Sequence, residues 1–210
     1  MDPHLWAFVP VATLLAVAPG ADTLLVVRNV LTRGRRAGLA TTVGIAAGCL
    51  VHATFSAVGV SLILVRSAEA FAALKWGGAV YLVVLGVQSV RRWLRPLAGP
   101  PESRLGGPGR GRRLRSFLEG LLTNVLNPKV GIFYLAFLPQ FIAPGDPVVA
   151  RSLLLGGLHV GIGVVWLSGL SFGMGRIRPL VESRLWRARL EGMSGAVLIG
   201  LGVRLAAERR

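Results

Sequence analysis

From Gly38 to Val65 the chain reads GLATTVGIAAGCLVHATFSAVGVSLILV, without one Asp, Glu, Lys or Arg. A run so long and so apolar has few fates. A helix crossing a hydrocarbon core about 30 Å thick needs about 20 such residues at about 1.5 Å each. Comparable runs recur, giving six predicted spans at about 5–27, 38–65, 70–90, 116–142, 149–175 and 190–207. With 53% hydrophobic residues overall, the fold class is an all-α integral membrane protein. The first run, LWAFVPVATLLAVAPG, reads as a retained span and not a signal peptide. Its head carries Asp2 and no Lys or Arg, and Pro19 would directly follow a cut after AVA.

The formal net charge of +15 invites a nucleic-acid reading, but the charge is topological. The first connection holds Arg28, Arg33, Arg35 and Arg36 with no acid, the third eight arginines with Glu102, the fifth five arginines with Glu182. By the positive-inside rule these three face the cytoplasm and both termini face outward. The third connection, Arg91 to Arg115, contains PLAGPPESRLGGPGRGRR, and its stretch of about 93–114 reads as a disordered basic linker that meets anionic lipid headgroups. It divides one transporter domain into halves of about 1–92 and 115–210.

Those halves resemble each other. LKWGGAVYLVVLGV at 74–87 aligns with LEGMSGAVLIGLGV at 190–203, matching Leu74, Leu82, Leu85, Gly86 and Val87 to Leu190, Leu198, Leu201, Gly202 and Val203. Three spans per half make the halves opposite in orientation, the inverted-repeat plan of many secondary transporters. The opening span of each half is interrupted: Pro19, Gly20 and Asp22 in the first, Asn127, Pro128 and Lys129 in the fourth. Paired interruptions of this kind point to a binding site. Each proline lacks an N–H and frees a carbonyl one turn earlier, which a neighbour, water or ligand must satisfy.

The chain uses 22 arginines and only two lysines, Lys75 and Lys129. Lys129 lies about 21 Å along a helix from Arg115, near the bilayer centre, where a charge costs at least about 2.5–3.5 kcal/mol. Asp22 lies about 9 Å inside the cytoplasmic end. It serves substrate or proton binding, or caps the helix restarting after Gly20. Asn127 either satisfies a freed carbonyl or binds ligand. Asn124 and Glu119 read as structural or vestibule residues. His52 and His159 are intramembrane candidates whose plainer role is a helix–helix hydrogen bond. The pairs Gly44/Gly48, Gly157/Gly161 and Gly169/Gly173 read as close helix contacts, and exposed glycine faces allow a homodimer. One cysteine, Cys49, and scattered histidines give no metal-ligand spacing. GGPGRG at 106–111 lacks the strand and lysine of a phosphate loop. No nucleophile–base pair appears, so catalysis is unsupported and no cofactor is implied.

Three of these segments resemble one family. PGADTLLVVRN, LKWGGAVYLVVLGVQSVRR and TNVLNPKVGIFYLAFLPQF are similar, in order, to the first-, third- and fourth-span signatures of the LysE/RhtB superfamily of amino-acid exporters. One departure is Ala21, where that family usually has proline. The resemblance implies a bacterial inner-membrane exporter of amino acids driven by proton antiport, with Pro19, Gly20, Asp22, Asn127, Pro128 and Lys129 as its motif residues. Members of the wider superfamily export metal cations, the competing expectation.

Overall fold

The computed structural model describes residues 3–18, 20–66, 68–94, 111–143, 145–182 and 184–207. Pro19 and residues 95–110 of the predicted linker lie outside the described residues. Those described form helices α1 (Pro3–Val17), α2 (Ala21–Arg33), α3 (Arg35–Arg66), α4 (Ala68–Leu94), α5 (Gly111–Val125) and α6 (Pro128–Ile132). After α6 the chain continues through a π-helical turn, Phe133–Phe137, and a 3₁₀ turn, Leu138–Phe141, before α7 (Val148–Glu182) and α8 (Arg184–Ala207). Gly34, at φ 87°, ends α2 in a conformation that side chains resist.

Among the described residues, two stretches are long and apolar enough to cross a membrane, Arg35–Gly59 and Val148–Met174. Two bent pairs also pass when each is taken as one crossing: His4–Val17 with Ala21–Arg33 at 49°, and Arg113–Val125 with Pro128–Phe141 at 51°. The expected third and sixth spans fall on α4 and α8, and the described residues Gly195–Ala207 of α8 form a shorter apolar helix. The first and fourth predicted spans are thus the broken ones.

Both breaks follow from proline chemistry. Pro128 cannot donate to Asn124 O, and α5 stops at Val125. The freed carbonyl receives Asn127 N–H at 2.9 Å and His52 Nε2 at 3.1 Å. A carbonyl only accepts, so His52 carries its proton on Nε2 here. Pro19 likewise leaves Leu15 O without its helical donor, and Lys129 Nζ bonds it at 3.3 Å. The second break is pinned by packing. Phe8 of α1 meets Phe141 at 5.2 Å and Phe133 at 6.1 Å between ring centroids, all three buried.

Two glycine seams set the helix pairs. A Cβ on Gly44 would collide with Phe117 O, one on Gly48 would lie 2.7 Å from Asn124 Oδ1, and one on Gly120 would collide with Thr41 O. α3 and α5 therefore meet backbone to backbone. Between α4 and α8, a Cβ on Gly86 would lie 2.7 Å from Gly195 O and one on Gly202 2.8 Å from Ala79 O. Late residues of one helix face early residues of the other, so the pair is antiparallel. The expectation for Gly157/Gly161 and Gly169/Gly173 is corrected. Among the described residues nothing lies within 4 Å of where their Cβ atoms would stand.

Candidate functional site

The two breaks face each other. Asp22 is the second residue of α2 and Gly20 is its N-cap, so the carboxylate does not cap the restarting helix. It turns across to the other break, where Oδ2 accepts from Asn124 Nδ2 at 2.8 Å and Asn127 Nδ2 at 3.4 Å. Its Oδ1 is buried with no hydrogen-bond partner among the described residues. Lys129 reaches the opposite way. Its Nζ donates to Ala18 O at 3.1 Å and Leu15 O at 3.3 Å, carbonyls of the final turn before the first break. A Cβ on Gly20 would lie 3.8 Å from that Nζ, at ordinary contact distance, so the ammonium sits directly beside this backbone.

Asn127 does two jobs. Its Oδ1 accepts from Lys129 N at 3.1 Å as the N-cap of α6, with Pro128 at the first helical position. Its backbone carbonyl takes the amides of Val130 at 3.1 Å and Gly131 at 3.0 Å. The first-turn amides of α6 are therefore already satisfied. The side chain of Lys129 is left as the cation of this break.

Asp22, Asn124, Asn127, Lys129 and Gly20 line one cavity of about 60 Å³, closed on its other sides by Thr23, Thr42, Ile45, Cys49, Val160, Val164 and Leu167. At about 10–15 Å³ per water, it holds a few waters or a small polar head group. Asp22 and Lys129 are its charged side chains. One wall is hydrogen-bonding, the other aliphatic, an arrangement suited to a small zwitterion with a modest side chain.

The histidines divide. His52 serves the helix–helix contact expected of it, holding Asn124 O and stacking on Tyr134 at 5.9 Å between ring centroids. His159 lines the cavity and shares a hydrogen bond of 3.0 Å with Tyr134 Oη. Five contributors escape the sequence reading. Tyr134 sits in an apolar run and reads as core, Thr23 and Thr42 read as ordinary helix residues, and the carbonyls of Leu15 and Ala18 have no side-chain signature. Asn124, assigned a lesser role from its spacing, binds Asp22 directly because the break turns its helix end toward α2.

Similarity to known proteins extends along nearly the whole chain. It is 29% identical to a homoserine/homoserine lactone efflux protein of Salmonella typhimurium, over 97% of this chain and 96% of that one. It is 30% identical to a threonine efflux protein of Escherichia coli, over 98% and 100%, and 28% identical to an uncharacterized membrane protein of Bacillus subtilis, over 95% and 97%. No solved structure matches. The model of the LysE type translocators matches residues 13–209, and the chain belongs to that family.

Proposed function

We propose that this protein exports amino acids or close derivatives from the cytoplasm of a bacterium by proton antiport, through a site between its two helix breaks. One observation carries the reading: Asp22 and Lys129, delivered by breaks far apart in sequence, line the same small cavity. Burying two charges in an apolar protein is costly without a purpose, and a zwitterion supplies the matching pair. The relatives named for homoserine and threonine efflux support a small amino acid as cargo.

Binding exchanges partners. The substrate carboxylate draws Lys129 Nζ away from Leu15 O and Ala18 O. Its ammonium takes those carbonyls and the orphan Oδ1 of Asp22. Protonation of Asp22 from the outer side then removes the anion facing the ammonium, so release outward is coupled to inward proton flow. The architecture behind this is six spans in two inverted halves, both termini outside, in the inner membrane. The reciprocal α4–α8 contacts support that plan. In the pairing of 74–87 with 190–203, Gly86 corresponds to Gly202 and Ala79 to Gly195. Gly86 against Gly195 and Gly202 against Ala79 are thus the same contact seen from each half.

Export from preloaded cells tests the reading. Lys129→Ala and Asp22→Asn are each expected to abolish export of a transported amino acid at normal membrane expression. Near wild-type export by both would remove the site assignment.

A further inference from the structure

We propose that the structure holds the carrier with its cytoplasmic entrance shut, and that the groove between α1 and α7 is the seam that shuts instead in the alternate state. The inference rests on the export reading above.

The shut end is built on Glu119. Its Oε2 accepts from Arg33 Nη1 at 2.8 Å, Arg28 Nη2 at 2.9 Å and Asn29 Nδ2 at 3.1 Å. Its Oε1 accepts from Arg33 Nη2 and Arg115 Nε, both at 3.0 Å. Asn29 also donates to Thr41 Oγ1 at 2.8 Å, which attaches α3. A bidentate Arg–carboxylate pair inside a network holds its geometry where a lone surface pair would not. The clasp ties together α2 and α5, the helices whose facing ends present Asp22 and Asn124 to each other. Beside it the Gly44–Gly48–Gly120 seam packs α3 on α5.

The other half has the parts for an equivalent seam, unused. Laid over α3 glycine on glycine, α7 puts Gly157 where Gly44 stands and Gly161 where Gly48 stands. α1 then takes the place of α5. Yet among the described residues nothing lies within 4 Å of a Cβ placed on Gly157 or Gly161. With Thr13, Val17 and Val165 they line an open groove of about 780 Å³. On the expected topology this groove lies in the outer half of the membrane and the Glu119 clasp in the inner half. One seam closed and its counterpart open is the asymmetry that a carrier of two inverted halves requires, since exchanging the two conformations moves the opening to the other face. In that exchange α1 packs over Gly157 and Gly161 while the clasp parts.

Gly161→Leu tests this directly. It is expected to insert and fold normally, because its side chain enters open space, yet to lose at least tenfold in export because α1 cannot close over it. Gly200→Leu, equally open on α8, is the control and keeps wild-type export. Cysteines introduced by Thr13→Cys with Gly161→Cys report closure without any substrate. Mild oxidation of native membranes yields a disulfide within one chain, and adding Glu119→Gln raises that yield severalfold. Wild-type export by Gly161→Leu, or a disulfide that joins two chains because a second copy fills the groove, overturns the inference. If the disulfide behaves as expected while no amino acid moves, the export reading falls alone.

Discussion

Asn124 Nδ2 meets Asp22 Oδ2 at 2.8 Å, joining the helix end before one break to the helix start after the other. Removing it with Asn124→Ala leaves a buried carboxylate oxygen short of a donor. A hydrogen bond to a charged group contributes about 1.5–3 kcal/mol, and each 1.4 kcal/mol is about tenfold in affinity. Export at limiting substrate is expected to fall by about 10- to 100-fold with unchanged membrane expression, measured as initial efflux of labelled amino acid.

Charge alone does not make Lys129 functional. Lys129→Arg keeps the cation, but a planar guanidinium does not reproduce a compact ammonium on two backbone carbonyls, and its extra atoms take up part of the cavity of about 60 Å³. Export is expected to drop at least tenfold. Wild-type kinetics from this variant would show that the site is larger and looser than described.

Gly48 controls Asn124 from behind. A methyl at that position would lie 2.7 Å from Asn124 Oδ1 and 2.8 Å from its Cβ, so Gly48→Ala must displace the residue that holds Asp22. The expected result is a loss of export comparable to that of Asn124→Ala. The double variant should be little worse than either single one, since both act on the same contact. Additive losses would separate the two residues.

Tyr134 and His159 stand or fall together. Tyr134→Phe strands a buried His159 nitrogen and is expected to cost about 1–3 kcal/mol of stability, read from thermal unfolding in detergent. His159→Leu added to it removes both polar partners and recovers part of that loss. A double variant as unstable as the sum of the singles would argue that the hydrogen bond contributes nothing.

The breaks were legible in the sequence because they violate local rules: proline and a charge inside an apolar run need a reason. Asp22 and Lys129 emerged by that logic, and the family signatures agreed with it. What lay beyond reach depends on direction and not on type. Spacing along one helix cannot tell that the kink swings Asn124 toward Asp22, or that Lys129 rests on carbonyls of the other half. Glu119 stood among arginines in a basic stretch and read as one more vestibule charge; only the approach of α2 makes it the centre of a clasp. Glycine pairs were equally ambiguous. Gly44 and Gly48 pack while Gly157 and Gly161, with the same spacing, face a groove, because spacing alone does not say which helix faces meet.

With the Lys129 ammonium seated on the carbonyls of Leu15 and Ala18, a stray potassium or sodium ion meets a fixed positive charge at that place. A carrier that reset with that place vacant would ferry those ions at every idle turnover and dissipate the membrane potential of its cell. A cation tethered to the chain cannot be carried off, so in the proposed export cycle Lys129 would also act as an insulator.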